Sequence, residues 1–222
     1  FGKWIMLSSA ISFLAQSGDR ILLPKALSIQ DLSFYSLAMI LIRIPCQLFG
    51  KISSKVLFPI FSKVASKNDD QQINAVLNKF ARLSWPMYLI PIVYIFLSNR
   101  IVGILYDPRY EPTAGALSIL AIGAYLRMMK LNQDGLLLAI GRSREHMLVN
   151  VMRLVSWVPI ALLLATQWGL EGFCAGIVVS DAIALFTQRS LTKRSFSGIS
   201  SSVDRVLIVV LGLAVLIKSI IV

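Results

Sequence analysis

The chain has 222 residues, of which 56% are hydrophobic and 15% charged, and a mean hydropathy of +0.74. A soluble domain carries about 25% charged residues, and a core of this size cannot hide so much apolar surface, so lipid must cover the rest. The net charge of +11 is concentrated between apolar segments, as in polytopic membrane proteins, which excludes nucleic acid as a partner.

Seven apolar segments follow in chain order, at 4–27, 33–58, 83–105, 113–140, 148–167, 172–190 and 205–222. A membrane helix needs about 20 apolar residues, so the expectation is an all-α polytopic bundle of about seven spans, the last one short. Breakers separate them: Pro24, Lys67-Asn68-Asp69-Asp70, Asp107-Pro108-Arg109, Gly141-Arg142-Ser143, Gly169, and residues 195–202. Residues 1–192 are expected to form the transporter-like bundle, with 193–222 a cytoplasmic link and a truncated seventh helix. The chain opens on Phe1-Gly2-Lys3-Trp4 and stops inside an apolar run at Ile221-Val222, the pattern expected of a fragment.

The loops alternate in charge. Lys3, then Lys51, Lys55, Lys63, Lys67, Lys79 and Arg82, then Arg142 and Arg144, then Arg189, Lys193, Arg194 and Arg205 fall on one side. The other side holds Lys25, a mixed group of Arg100, Asp107, Arg109 and Glu111, and Glu171. Basic loops stay in the cytoplasm, so a cytoplasmic start is expected.

Three segments carry polar stripes. With about 100° between successive helical residues, Ser8, Ser12, Gln16 and Asp19 share an arc of about 80°, flanked by Arg20. Ser36, Arg43, Gln47, Gly50, Lys51 and Ser54 share about 100°, with Pro45 beside them, and Arg127, Lys130 and Asp134 share about 60°, with Gly123 on the same side. A charge at the bilayer centre costs about 2.5–3.5 kcal/mol, so such faces turn toward protein or water. The stripes are expected to meet in one wet, net-positive cavity whose substrate-binding residues are Arg43, Arg20, Arg127, Lys130, Gln16, Gln47, Asp19 and Asp134. Arg43 is the most telling, being near mid-span with no acid within seven residues. Lys51 and Lys130 have a bland reading, snorkelling to the interface, and Asp19 and Arg20 can sit at the outer interface. A purely structural Arg127–Asp134 pair is disfavoured by their seven-residue spacing.

Asp181, mid-way along the sixth segment, is a candidate coupling-ion carboxylate or a hydrogen-bond partner for a neighbouring helix. Gly169, Gly172 and Gly176 have the spacing of a close-packed helix start. His146, Asn150, Arg153 and Trp157 share a helix face, read as an interfacial belt, with a cavity rim as the other possibility. Cys46 and Cys174 lie in apolar segments and His146 is the single histidine, so no metal site, disulfide framework or cofactor is expected.

Ordered across nearly the whole chain are FGKWIMLSSAISFLAQSGDRILL at 1–23, FYSLA at 34–38, SSKVLFPIFSKV at 53–64, IVGILYDPRYEPTAGALSILAI at 101–122, LLLAIGRSREHMLVN at 136–150 and QWGLEGFCAG at 167–176. This ordered set resembles bacterial oligosaccharide-lipid flippases, the polysaccharide-transporter branch of the multidrug/oligosaccharidyl-lipid/polysaccharide exporter superfamily. The resemblance implies two six-helix bundles rocking about a central cavity, of which this chain matches the second plus one helix. It also implies a multi-pass location in the bacterial inner membrane, a lipid-linked oligosaccharide as substrate, and the absent N-terminal bundle and membrane lipids as partners.

The leading expectation is therefore a flippase for a polyprenyl-pyrophosphate-linked oligosaccharide, working by alternating access. The competing readings are a lipid II flippase or drug/cation antiporter of the same superfamily, a non-transporting scaffold, and a membrane enzyme such as a glycan ligase. An antiporter favours carboxylates in its cavity. A ligase needs a catalytic histidine or an extended outer loop, and the short outer loops here argue against an enzyme.

Overall fold

The computed structural model describes residues 27–65, 70–139 and 141–195, together with residues 6, 7, 10, 11, 13 and 212. The described chain is α-helical apart from its turns: α1 (Ile29–Ala65), α2 (Asp70–Leu83), α3 (Trp85–Leu105), a short 3-10 turn (Pro108–Tyr110), α4 (Pro112–Ala139) and α5 (Ser143–Ser195).

Helix α1 starts at a reciprocal cap. The Asp31 backbone N–H donates to Ser28 Oγ at 3.1 Å, and the Asp31 carboxylate accepts from the Ser28 backbone N–H at 3.2 Å, so two donors at the helix start are satisfied. The helix then runs through Pro45 and Pro59. Helix α3 holds Pro86 in its first turn, where a missing N–H is harmless, and departs from helical geometry at Leu97 (φ −107°, ψ 15°). In the turn after it, Asp107 accepts from the backbone N–H and Nε of Arg109 at 3.2 and 3.1 Å. These bonds hold the exposed Asp107 carboxyl below its ordinary range.

Four described helices are long and apolar enough to cross a membrane: α1, α3, α4 and α5. The count is lower than the seven expected, for two reasons. The segments at 4–27 and 205–222, with Pro24 and the 195–202 link, lie essentially outside the described residues. The segments at 148–167 and 172–190 form one 53-residue element, α5, broken at Trp168 (φ −125°, ψ 19°) and Gly169 (φ 57°, ψ −136°). The Gly169 conformation is closed to residues with a Cβ, so the chain reverses there. A straight helix would hold Arg153 and Asp181 about 42 Å apart; their side chains meet at 2.6 Å.

The α5 hairpin closes on glycines, as their spacing predicts. A methyl at Gly172 would strike the Leu164 carbonyl, and one at Gly176 would strike the Ala161 backbone. Helix α2 was not expected. It starts at Asp70, the last residue of the expected 67–70 breaker, whose other residues lie outside the described ones. It buries Ile73, Leu77 and Phe80 while Gln71, Gln72, Lys79 and Arg82 stay exposed.

Helix α4 is the central element and packs on α1, α3 and α5. Its small residues Ala114, Ala116, Ala121 and Ala124 are buried, which lets neighbours approach closely without a hydrophobic drive from the solvent. An aromatic chain ties the bundle: Phe49 to Tyr88 at 5.4 Å, Tyr88 to Tyr125 at 5.3 Å, and Tyr35 to Phe173 at 5.7 Å. The start of α1, the start of α4 and the α5 break gather at one end, where Asp31, Glu111 and Glu171 line a shallow recess. The opposite end carries the exposed Lys55, Lys63, Lys79, Arg82, Arg142 and Arg144.

Candidate functional site: a cationic cavity between α1, α4 and α5

A cavity of about 330 Å3 lies between three helices, within the size range of ligand pockets. Helix α1 contributes Arg43, Gln47 and Gly50; α4 contributes Arg127, Lys130 and Asp134; the first half of α5 contributes His146, Asn150, Arg153 and Trp157. The α5 stripe spans about 16 Å along the helix axis. Tyr35, Met39 and Ile177 add apolar wall toward the middle of the bundle.

Each stripe has a simple local cause. Residues three and four apart share a helix face, so Arg43, Gln47 and Gly50 point one way from α1, and Arg127, Lys130 and Asp134 one way from α4. These are two of the three expected stripes, and they meet. Gln16, Asp19 and Arg20 of the third lie outside the described residues. Ser36, Lys51 and Ser54 of the α1 stripe fall outside the cavity lining.

The charges are organised in two groups. Lys130 Nζ donates to both Asp134 oxygens, at 3.1 and 3.0 Å, and His146 Nε2 lies 3.6 Å from Asp134 Oδ1. Lys130 is therefore a buried cavity residue, not a snorkelling one. In the second group, Arg127 Nη2 donates to Asp181 Oδ2 at 2.8 Å, and Arg153 Nε lies 2.6 Å from Asp181 Oδ1. The Asp181 side chain is 2% exposed, just behind the cavity wall. Two arginines share one carboxylate, so this cluster keeps a positive charge. The partner of Arg127 is thus Asp181, not Asp134, and of the two roles weighed for Asp181 its contacts here are with the neighbouring helices.

Gly123 makes this possible. A methyl there would sit 3.2 Å from Asp181 Oδ2 and 3.3 Å from Val178 Cγ2, so only a glycine lets α4 and α5 close over the carboxylate without displacement.

Sequence reasoning undervalued the α5 stripe. His146, Asn150, Arg153 and Trp157 face the cavity, so the rim reading holds over the interfacial belt. Their spacing of four, three and four residues is the same signal that marked the other two stripes. Among the described residues no group of histidine, cysteine and carboxylates is arranged to hold a metal ion.

A family model described as polysaccharide biosynthesis protein matches residues 1–115, just over half of the chain. The chain belongs to this polysaccharide biosynthesis family. Within the family and its kin, it is 23% identical over 185 residues to the lipopolysaccharide biosynthesis protein WzxC of Escherichia coli K12, covering 82% of this chain and 37% of that protein. It is 26% identical over 144 residues to the teichuronic acid biosynthesis protein TuaB of Bacillus subtilis 168, covering 64% of this chain and 29% of that one. It is 22% identical to a putative O-antigen transporter of Shigella flexneri, covering 83% and 44%. The fold matches the lipid II flippase MurJ in an inward closed conformation with a TM-score of 0.62 at 17% identity, over 86% of this chain and 45% of that one. The chain spans less than half the length of each of these proteins.

Proposed function

We propose that this chain is the C-terminal half of a flippase that carries a polyprenyl-pyrophosphate-linked oligosaccharide repeat unit across the bacterial inner membrane. Residues 1–192 form its second bundle and 193–222 a cytoplasmic link and the start of a further helix. A first bundle closes the cavity from the other side. The basic end of the molecule is cytoplasmic, as the positive-inside rule directs, and so is the start of the chain.

The observation that carries this reading is the cavity itself. Among the described residues, Arg43, Arg127, Lys130 and Arg153 stand against Asp134 in its wall and Asp181 behind it. A net-positive, partly dehydrated chamber attracts a diphosphate and repels cations, which disfavours a cation antiporter. Guanidinium groups match phosphate oxygens in a bidentate way. Opening toward the cytoplasm admits the head group, and rocking of the two bundles re-exposes it outside, while the lipid tail stays in the bilayer. The names of WzxC, the O-antigen transporter and MurJ agree with a lipid-linked saccharide as cargo.

The test is deletion of the complete gene. Surface polysaccharide should be lost and lipid-linked repeat units should accumulate in the inner leaflet, both reversed by the intact protein. Normal surface polysaccharide in the deletion strain refutes the proposal.

A further inference from the structure

We infer that Asp181 is a positioning residue for substrate: it aligns Arg127 and Arg153 as a matched pair of phosphate-binding groups. This rests on the flippase reading above and assigns a role to a carboxylate that does not touch the substrate.

The geometry has three parts. First, the two arginines come from different helices, α4 and the first half of α5, and the carboxylate comes from the second half of α5. Each arginine takes a different oxygen, Arg127 Nη2 on Oδ2 at 2.8 Å and Arg153 Nε on Oδ1 at 2.6 Å. Second, both arginines line the cavity while Asp181 stands behind them. Each of these contacts uses one nitrogen of a guanidinium that has five N–H donors in a fixed plane. Arg127 Nε is buried without a hydrogen-bond partner, and the Arg127 and Arg153 side chains keep 20% and 14% exposure where they line the cavity. Third, Gly123 leaves room for the carboxylate with little to spare: an added methyl would be 3.2 Å from Oδ2. A flexible arginine loses much rotamer entropy when it binds a ligand. Fixing two of them in advance removes that loss from the binding step.

The consequence runs against simple electrostatics. Removing Asp181 makes the site more positive, so charge alone predicts tighter anion binding. Loss of alignment predicts weaker binding and, above all, loss of preference for two linked phosphates over one.

The experiment uses the complete purified protein in detergent, with geranylgeranyl pyrophosphate and geranylgeranyl monophosphate as probes. Kd for each is measured for wild type, Asp181→Asn and Gly123→Ala. The second variant keeps every charge but requires the carboxylate and Val178 to give by a few tenths of an ångström. Both variants are expected to bind the pyrophosphate about tenfold more weakly and to lose most of the pyrophosphate-to-monophosphate preference. A partly unfolded sample lowers the binding stoichiometry but not the ratio of the two Kd values, so a purely structural role does not mimic this result. Unchanged or tighter pyrophosphate binding in a folded Asp181→Asn overturns the inference and leaves the flippase proposal standing. If that variant fails to fold, Gly123→Ala decides alone, and an unchanged ratio in it overturns the inference. Wild-type protein that binds neither probe refutes the diphosphate reading, and the inference with it.

Discussion

Gly176 and Ala161 meet backbone to backbone across the α5 hairpin, so closely that a methyl on Gly176 would overlap the Ala161 Cα and N. Backbone cannot swing aside as a side chain can. Gly176→Ala should therefore separate the two halves of α5 and cost at least the 1–3 kcal/mol typical of overpacking. Gly103, in α3, is the control, because nothing lies within 4 Å of a methyl placed there. Gly103→Ala should be neutral or stabilise by up to about 1 kcal/mol, since alanine is the better helix former. Melting of the two purified variants in detergent checks this. A Gly176→Ala protein that melts with the wild type would mean that the hairpin is looser than described.

Lys130 and Asp134 form a second testable unit. Their side chains are 11% and 15% exposed, and they meet at 3.0 Å. Removing one partner leaves a poorly solvated charge, a loss of about 3 kcal/mol at the lower end for buried pairs. Their remaining exposure to the cavity supports the lower end. Lys130→Met and Asp134→Leu should each destabilise the protein, and the double variant should recover most of the loss. A double-mutant cycle on thermal stability reads the coupling directly. Additive effects would show that the pair contributes nothing as a pair.

The parts of this site that could be read from sequence were those in which one helix carries several polar residues. Arg43, Gln47 and Gly50 repeat on one face of α1, and Arg127, Lys130 and Asp134 on one face of α4, so their convergence was foreseeable from helical period alone. Asp181 shares its helix face in its own segment with Gln188, about 20° away, which is too sparse a stripe to point to a partner. Its role depends on which helix lies across from it, and that is set by the Gly169 reversal and by the gap at Gly123, neither of which periodicity encodes. The α5 stripe was seen but weighed as an interfacial belt, because histidine, arginine and tryptophan near a span end are usual there. Helix α2 was hidden by its polarity, although Ile73, Leu77 and Phe80 carry the one-faced spacing of a surface helix. The all-α membrane bundle itself was legible from composition and segment length.

Sidedness is open to chemical labelling. The two native cysteines, Cys46 and Cys174, are buried, so background reaction with a polar maleimide should be low. Lys79→Cys on α2 and Glu111→Cys before α4 both place an exposed thiol, at opposite ends of the bundle. In intact cells the reagent should modify residue 111 and spare residue 79, with both modified after permeabilisation. The reverse pattern would invert the topology and place the basic end outside.

The sharpest test falls on Arg43. It lies near the middle of α1 and lines the cavity with Gln47, Arg127, Lys130 and Arg153, so its cation is presented to the chamber where the head group is proposed to bind. Helix α1 runs on through Pro45 two residues later, where the ring removes a backbone donor and leaves a carbonyl without its helical partner. A hydrogen bond to a charged group contributes about 1.5–3 kcal/mol, which converts to roughly a 10- to 150-fold change in binding. Arg43→Ala in the complete protein should therefore cut export of surface polysaccharide at least tenfold while leaving the amount of protein in the membrane unchanged. Arg43→Lys keeps the charge but not the planar fork, and should recover only a minor part of the activity. If Arg43 instead held α1 against a neighbouring helix, Arg43→Ala would lower folded protein and polysaccharide together. Normal polysaccharide from Arg43→Ala at normal protein level would remove this residue from the transport path.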